Sequence, residues 1–352
     1  MYTISYYSLL QIEDLKKEWL RLEQGNEMTY FQRYDWYKML ANLNQKTKHR
    51  HFEITIAVAS KQGNIVLIAP LWIVTKNFGK YNHKGIYFFG RAQWSDYLNF
   101  IYDEFDANAL EQLMVAVSNK YDVSNYILED LPINTSCFKY LNNKYTHLIE
   151  KGDICVELFI PNNLEEYHKL LSKNTRQNIR TAQNRCVKDS IEFEYNFDDK
   201  NVDISAFARY RDIRLFNKVR ACGPSLKSRL IYFISTKILG RGKYKFVPYT
   251  PFENDHSSHF LTCKDQKGNL CAAYCYGIDN IHNQIVLMAV STNPDFYKYS
   301  PGILTIYNFV IEQMNKENGY TKIDFTRGNE KYKYVLGGVE HYNHLLEFSI
   351  KK

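Results

Sequence analysis

The feature that most restricts the fold of this chain is an order of predicted elements that occurs twice. Each half contains two apolar, strand-like runs joined by a short turn with a glycine, a pattern typical of a β-hairpin. The runs and their turns read FEITIAVAS, KQGN and IVLIAPLWIV in the first half, and SHFLTCK, DQKGN and LCAAYCYGI in the second. A shared strand-helix-strand order alone would be weak evidence of a repeat, because many folds contain it, and these matching hairpins strengthen it.

The elements after each hairpin also correspond. In both halves a strand, a helix and a further strand are predicted. They are YLNFIYD, residues 107–119 and NYILEDL in the first half, and QIVLMAVS, residues 301–317 and YTKIDF in the second. We therefore predict a mixed α+β fold in two similar halves, each with a mixed, mainly antiparallel sheet flanked by helices. The expected boundaries are residues 1–160 and 161–352.

A helical insert with a basic run lies at the start of the second half. The segment NNLEEYHKLLSKNTRQNIRTAQNRCVKDS has helical periodicity, and two more helices are predicted from VDISAFARYRDIRLFNKV and SLKSRLIYFISTKIL. Arg176 and Arg180 are one turn apart and share a helix face. This pair is either a clamp for a phosphate or carboxylate, with Arg176 in contact with substrate, or a solvated basic face.

Composition and charge exclude several classes of protein. The chain has 352 residues, of which 45% are hydrophobic, and this is typical of a globular protein with a buried core. Its net charge of +7 suits a phosphorylated partner but is too diffuse to indicate stable nucleic-acid binding. Seven cysteines without a CxxC pair argue against a disulfide framework, and Cys271 and Cys275 are expected in the core.

Location and metal content can also be anticipated. The N-terminal residues turn polar early and the longest apolar run contains Pro70, so we expect no secretory signal, no membrane span and a cytoplasmic location. The ten histidines lack ligand spacings such as HExxH, and His256 with His259 is expected to be a loop pair. We expect no metal.

The starts of the two corresponding helices differ in chemistry. The first opens with YDEFDANAL, whose acids suit the positive end of a helix as local caps but would repel a bound anion. The second opens with YKYSPGIL. There Pro301 suits the first helical position, Ser300 is an expected N-cap, and Gly302 leaves room for a ligand to approach the backbone. Only the second start is suited to an anion such as a diphosphate.

These segments resemble a known family. The repeated order of elements is similar to the core of the GNAT acyltransferase fold, and YSPGIL followed by DFTRGNEKYK resembles the C-terminal motifs of the CelD-like branch, which is linked to cellulose or exopolysaccharide biosynthesis. That branch is similar to the Fem aminoacyltransferases, which also have two GNAT-like halves. WSDYLNF and LSKNTRQNIRTAQNR are supporting matches. The resemblance implies tandem GNAT-like halves, the first degenerate and the second binding the donor.

The resemblance implies how a donor binds. Acyl-CoA, with acetyl-CoA first among the candidates, would lie between the strands QIVLMAVS and YTKIDF. Backbone N–H groups near Ala289 and Val290 would face the acyl carbonyl. The diphosphate would lie against residues at the second helix start, namely Tyr299, Ser300, Gly302 and Ile303. Typical family members carry a Q/RxxGxG/A turn, whereas this chain has one glycine there, which leaves the donor open because Fem enzymes take an aminoacyl-tRNA.

The same resemblance implies catalytic roles. Tyr332 is placed where many GNAT enzymes have a tyrosine that protonates the thiolate, although it could be one packing tyrosine among 29. Asp324 or Glu330 would be the base on the acceptor side, with Arg327 and Lys333 binding a phosphate or carboxylate of the acceptor. The alternative is an Asp324–Arg327 ion pair that fixes the loop.

The first half offers one further candidate. Asp96 and Tyr97 are predicted to begin the strand that corresponds to QIVLMAVS. As a single residue, Asp96 is better explained as a strand-edge acid. The resemblance makes Asp96 a candidate catalytic residue and Tyr97 an acceptor contact.

Three functions remain open at this point. The first is an acyl-CoA-dependent N- or O-acyltransferase acting on a sugar, either nucleotide- or lipid-linked, for envelope polysaccharide; a lipid-linked acceptor would bring the protein close to a membrane. The second is a Fem-like transferase that uses aminoacyl-tRNA and a peptidoglycan precursor, the one case with a nucleic-acid partner. The third is a degenerate GNAT pair that serves as a scaffold or binding module.

Overall fold

The computed structural model describes residues 2–44, 52–76, 83–90, 95–145, 147–221 and 259–350. The strands in these ranges are β1 Tyr2–Tyr7, β2 Phe52–Lys61, β3 Asn64–Val74, β4 Gly85–Phe88, β5 Asn125–Leu131, β6 His147–Phe159, β7 Phe193–Asn196, β8 His259–Asp265, β9 Leu270–Asp279, β10 Gln284–Thr292, β11 Lys322–Arg327 and β12 Val339–Ser349. The α-helices are α1 Lys16–Leu22, α2 Tyr34–Asn44, α3 Ala107–Tyr121, α4 Ser136–Lys144, α5 Leu164–Leu170, α6 Lys173–Lys188, α7 Ile204–Ala221, α8 Pro301–Met314 and α9 Lys331–Val335. Short 3₁₀ helices span Leu9–Leu15, Tyr30–Gln32 and Pro294–Tyr299.

The chain divides into two compact units. The first comprises Met1–Cys155 together with Glu340–Lys352, and the second comprises Val156–Val339. The C-terminal segment thus belongs to the first unit, because β12 pairs antiparallel with β5. The sequence contains no sign of this return, since strand pairing over such a separation leaves no local pattern.

The first unit has a mixed sheet in the strand order β1-β2-β3-β4-β5-β12. The β2–β3 hairpin turns at Gln62 and Gly63, both with positive φ, as the predicted glycine-containing turn requires. β4 and β5 are parallel, and α3 is the helix between them in sequence. Burial runs through the middle of β2 and β3, so the core lies along these central strands.

One predicted strand of the first unit is wrong. Residues 97–103 make a single bridge, between Ile68 and Ile101, and the strand at this place in the fold is β4. Side chains take up the hydrogen bonds that a ladder would have used: Asn99 Oδ1 accepts from the Phe100 N–H at 2.9 Å, and Tyr97 has a φ of +54°. Such local bonds compete with sheet pairing. Asp96 and Tyr97 therefore do not begin a strand.

The second unit has a sheet in the order β11-β10-β9-β8-β7. β7 to β10 are joined by antiparallel pairs, and β10 with β11 is parallel. Cys271 and Cys275 are fully buried on β9, which confirms that they belong to the core. The predicted long helix is α8, which begins at Pro301 as expected and ends at Met314, before the Asn318-Gly319 stop.

The helical insert consists of α5 and α6, which are separated by Leu171 and Ser172, and of α7. Asn163 and Ser172 cap the starts of α5 and α6, since their side chains accept hydrogen bonds from backbone N–H groups in the first turn. The predicted helix SLKSRLIYFISTKIL and His256 lie outside the described residues. The predicted fold class, a mixed α/β fold with a large mixed sheet flanked by helices, is confirmed.

Candidate active site

The strands β10 and β11 separate after a short parallel ladder. They pair from Gln284↔Lys322 to Val286↔Asp324, although β10 continues to Thr292 and β11 to Arg327. The β9–β10 ladder shifts register between Leu287 and Ala289, which places a β-bulge at Met288. A bulge leaves a residue out of the ladder and bends its strand. The result is a cleft between two diverging strands.

A small cavity of about 70 Å³ occupies this cleft. Its lining includes Ala289 and Val290, the two residues whose backbone is predicted to face an acyl carbonyl. The opposite wall includes Thr326, whose φ is +56°, an unusual conformation for a β-branched residue. The Thr326 hydroxyl donates to the Leu287 carbonyl at 3.0 Å, and this bond ties the two diverging strands together. Strain of this kind is found most often at functional sites.

The start of α8 differs from the prediction at Ser300. Ser300 occupies the N-cap position but has a left-handed conformation (φ +51°), and its side chain makes no capping bond. Its N–H donates to the Tyr297 carbonyl at 3.1 Å, so this amide is not available to a ligand. The first intrahelical bond runs from Leu304 N–H to Ser300 O, so the amides of Gly302 and Ile303 precede it. Such amides have no carbonyl partner within their own helix.

Gly302 is needed for packing inside the protein. A Cβ on Gly302 would lie 3.1 Å from Tyr274 Oη and 3.3 Å from Thr292 Oγ1, and the Tyr274 hydroxyl donates to the Gly302 carbonyl at 3.0 Å. The α-carbon of Gly302 thus faces β9 and β10, on the buried side of the helix. Internal packing therefore disfavours a side chain at this position whether or not a ligand binds to its amide.

A larger pocket of about 440 Å³ lies on the outer side of the α8 start. α6 forms one wall, through Thr175, Ile179 and Ala182 among others, and Ser300 and Ile303 of the α8 start form another. Among the described residues that line it, the charged ones are Arg185 and Lys331, and none is a carboxylate. Ile303, whose amide precedes the first intrahelical bond, thus lies beside two cations and no acid among the described lining residues, a combination that suits an anionic ligand.

Tyr332 lines both the cleft and the α8 pocket. Its ring packs edge-on against Phe325, with centroids 5.9 Å apart, and lies 6.5 Å from the ring of Tyr274. Burial raises the pKa of the Tyr332 phenol above its ordinary value; the nearby Arg214 opposes this and Glu330 adds to it. The phenol is therefore protonated at neutral pH and can donate a proton.

The two predicted bases are placed differently. Asp324 is buried, and its Oδ1 accepts a 2.7 Å hydrogen bond from the Thr326 N–H; it does not line the cleft. Glu330 does line the cleft, and its Oε2 lies 3.2 Å from the Lys333 ammonium. Geometry thus favours Glu330 over Asp324 as the group that could contact an acceptor.

The cations next to the cleft also differ from one another. Lys333 is 2% exposed, and its ammonium donates to the carbonyls of Thr326, Arg327 and Gly328 at 3.1, 3.0 and 2.8 Å. Three carbonyls saturate the three ammonium donors. Lys333 therefore holds the loop after β11 together, which disfavours the predicted phosphate contact. Arg327 lines the cleft as expected.

Two other predicted ligand contacts have structural partners. The Arg176 guanidinium donates to the carbonyls of His168 and Leu171 (2.8 Å to Leu171), so it caps the end of α5. The Tyr299 hydroxyl donates to Asp189 Oδ2 at 2.8 Å and does not line the α8 pocket. On α6 it is Arg185 that lines this pocket. The basic run predicted the helix correctly, but helical periodicity alone could not tell which arginine faces the pocket.

Asp96 and Tyr97 belong to the first unit. Both are buried, and the Tyr97 ring stacks on His341 with its hydroxyl 3.3 Å from His341 Nε2. The Gln32 side chain donates to the Tyr97 carbonyl at 2.8 Å, which holds the backbone at this positive-φ position. Their roles toward an acceptor stay predictions.

Arg214 is a residue of the cleft that the sequence reasoning missed. It lies on α7, lines the cleft, and its Nε is buried without a hydrogen-bond partner among the described residues. It was missed because α7 shows only helical periodicity, and which of its four arginines faces β10 is decided by tertiary packing.

In the described ranges, no three His, Cys, Asp or Glu residues form a group that could hold a metal ion. In the same ranges, no helix has the length and hydropathy that crossing a bilayer requires.

Comparisons with known proteins agree with this geometry. Residues 258–334, which include β8 to β11 and α8, match the family model described as an acetyltransferase (GNAT) domain. Among solved structures, FemX aligns over 98% of this chain and 96% of its own, with a TM-score of 0.58 at 11% identity. A conserved protein of unknown function from Bacteroides thetaiotaomicron aligns over 99% and 100%, with a TM-score of 0.51 at 10% identity.

A third structure has the same fold. The C-terminal domain of a putative lysylphosphatidylglycerol synthetase from Agrobacterium fabrum aligns over 97% of this chain and 92% of its own, with a TM-score of 0.51 at 9% identity. A search of curated proteins found no match. At such low identities these structures show the fold and not the substrate. Because the matched segment includes both diverging strands and the α8 start, this part of the chain is similar to an acetyltransferase (GNAT) domain, which supports a transferase.

Proposed function

We propose that the protein transfers an acyl group from acyl-CoA to an amine or hydroxyl of a sugar-type acceptor. The observation that carries this proposal is the position of Tyr332 between two cavities. The α8 pocket offers the helix-start amide of Ile303 and two cations to a diphosphate, and the cleft offers a polar space to a thioester. A donor that extends from one cavity to the other would place its sulfur next to the Tyr332 phenol.

The residues of the cleft can support the transfer. Amides at the β10 bulge, near Ala289 and Val290, would hydrogen-bond the oxyanion that develops as the acceptor attacks the thioester carbonyl. Glu330 would take the proton from the acceptor amine or hydroxyl. The C–S bond then breaks, and Tyr332 would give its proton to the leaving thiolate. Each role requires only groups that line the cleft.

Acetyl-CoA is the first donor to test, and the acceptor class comes from the CelD-like motifs, which favour envelope polysaccharide biosynthesis in the cytoplasm. Calorimetry with acetyl-CoA and longer acyl-CoAs tests the donor. Release of free CoA thiol in the presence of amino sugars, nucleotide sugars and lipid-linked sugars tests the acceptor. Failure of every acyl-CoA to bind would rule the proposal out.

A Tyr332→Phe variant tests the role of the phenol. General acid catalysis typically contributes about 10²–10⁴-fold, so we expect a fall in kcat of that order with acyl-CoA affinity unchanged. Tyr297→Phe is the matched control because Tyr297 lies just before α8, is 46% exposed and lines neither cavity. An equal effect of both changes would contradict the assignment.

The structural similarity to FemX, which extends over nearly the whole chain, supports a second candidate function. Fem-type enzymes take the acyl group from aminoacyl-tRNA, and the α8 start, with one glycine and a proline, departs from the usual acyl-CoA turn. Incubation with charged tRNA and a peptidoglycan precursor would show aminoacyl transfer if this function is correct. Binding of acyl-CoA without any transfer would instead favour a degenerate scaffold.

A further inference from the structure

The Arg214 guanidinium is unusual among the cations of the second unit. It lines the cleft between β10 and β11, and its Nε is buried without a hydrogen-bond partner among the described residues. Within the described part of the chain it also forms no ion pair. Lys333, in the same lining, is saturated by three carbonyls. Arg214 is therefore a cation of this cavity that has donors left for a ligand.

Leaving the buried Nε of this guanidinium without a hydrogen bond costs free energy, because a buried polar group loses water without gaining a replacement. Its neighbours make the surroundings more positive. Among the described residues, the charged ones that line the cavity are Arg214, Arg327, Lys333 and Glu330, an excess of two positive charges. An anion that enters the cleft would meet a favourable potential and an unsatisfied donor set.

The size and shape of the site restrict the ligand. The cavity of about 70 Å³ holds a few water-sized groups, since one water needs about 10–15 Å³. The planar guanidinium fork matches two oxygens of a carboxylate or phosphate. Tyr332 and Tyr274 lie close enough for the Arg214 charge to act on both phenols, so the anion would lie beside the proposed proton donor.

We propose that Arg214 binds a carboxylate or phosphate group of a substrate in this cleft. This rests on the proposed function, because the cleft is taken as the place of acyl transfer. The anionic group can belong to the acyl chain, as in a dicarboxylic acyl donor, or to the acceptor, as in a sugar phosphate. Both sources present the same oxygen pair to Arg214.

The experiment compares matched neutral and anionic probes. Calorimetry measures binding of acetyl-CoA against succinyl-CoA, and of glucosamine against glucosamine 6-phosphate, to the wild type and to Arg214→Gln and Arg214→Lys. We expect the wild type to prefer one anionic probe at least tenfold, Arg214→Gln to lose that preference, and Arg214→Lys to keep part of it. A preference for succinyl-CoA places the anion in the acyl group, and a preference for the sugar phosphate places it in the acceptor.

Controls separate this proposal from the proposed function. Arg209→Gln, on an exposed position of the same helix, should leave every affinity unchanged. Inorganic phosphate, titrated in the absence of CoA, reports on Arg214 even if acetyl-CoA fails to bind, in which case only the proposed donor is wrong. If the wild type does not discriminate between the paired probes, or if Arg214→Gln binds every anion as the wild type does, Arg214 is not an anion receptor.

Discussion

The packing of Gly302 leads to a prediction that separates two explanations of this residue. If Gly302 is retained only so that a ligand can approach, Gly302→Ala should stabilise the fold. Alanine is favoured over glycine in a helix by about 1 kcal/mol, and it also restricts the unfolded chain. The structure indicates the opposite sign, because the new methyl would lie 3.1 Å from Tyr274 Oη and 3.3 Å from Thr292 Oγ1.

These two contacts set the magnitude of the effect. Both distances are shorter than ordinary van der Waals contact, and Tyr274 is buried and fixed by its hydrogen bond to the Gly302 carbonyl. Overpacking of this kind costs about 1–3 kcal/mol. After the gain of about 1 kcal/mol in helix propensity, the net loss expected for Gly302→Ala is about 0–2 kcal/mol. A larger side chain such as Trp should prevent folding, so it cannot test donor binding alone.

A double-mutant cycle with Tyr274→Phe measures the clash directly. Removal of the hydroxyl leaves Tyr274 Cζ, at 4.0 Å, as the nearest atom of that ring, so alanine should be tolerated or stabilising in the Tyr274→Phe background. Urea unfolding of the four proteins should give a coupling free energy of about 1–3 kcal/mol. Additive effects of the two changes would refute the proposed contact. An increase in stability for Gly302→Ala in the wild-type background would refute it as well.

Three further predictions concern stability and use urea unfolding. Burial raises the pKa of the Glu23 carboxyl from 4.5 to about 6, so its folded state holds the proton more tightly than the unfolded state. The free energy of folding that protonated Glu23 contributes is present below pH 4.5 and is lost as the pH rises through 6. The wild type should therefore lose about 1–2 kcal/mol of stability across that window, and Glu23→Gln should not. Identical pH profiles of the two proteins would contradict this. Lys333→Met should cost about 3–5 kcal/mol because it removes a buried ammonium from one carboxylate and from three carbonyls that are at least partly buried. A loss of ligand binding alone would instead indicate an anion contact. Asp106→Ala should cost about 1 kcal/mol because it removes the N-cap of α3. Ser300→Gly should be neutral or stabilising by about 1 kcal/mol, because Ser300 is left-handed and makes no capping bond. Equal losses at both sites would contradict the difference between the two helix starts.

Composition and capping patterns predicted correctly those helices and strands whose formation depends on interactions between residues close together in the sequence. β5 matches NYILEDL residue for residue, and α3 begins at Ala107 with Asp106 as its cap, as its acidic start indicates. The β2–β3 and β8–β9 hairpins were predicted from apolar runs around glycine turns. In each case the deciding interactions lie within a few residues of one another, so the sequence carries them in one window.

The sequence-based predictions were wrong where contacts between residues far apart in the sequence determine the structure. YLNFIYD has the composition of a strand, but its polar side chains bond to nearby groups and only Ile101 bridges to Ile68. Arg176 and Arg185 lie on one helix, and only the neighbouring elements determine that the first caps α5 and the second lines a pocket. The sequence likewise indicated that Gly302 leaves room beside the backbone for a ligand, but it could not show that Tyr274 and Thr292 pack close to this position.

The two helix starts show how a duplicated fold can assign an anion site to one copy. In the first unit the Asp106 carboxylate accepts from the N–H groups of Asn108 and Ala109 at 3.0 and 3.1 Å, so α3 supplies its own anion. In the second unit the corresponding cap has no side-chain bond, and Ile303 in the first turn of α8 borders a pocket lined by Arg185 and Lys331. An intrinsic carboxylate and a bound diphosphate would compete for the same amides and the same end of the helix dipole. The first copy thus gains stability from its own carboxylate, whereas the second has no such cap at the start where we propose that an anion binds, and the bond from Tyr274 to the Gly302 carbonyl holds that start in place.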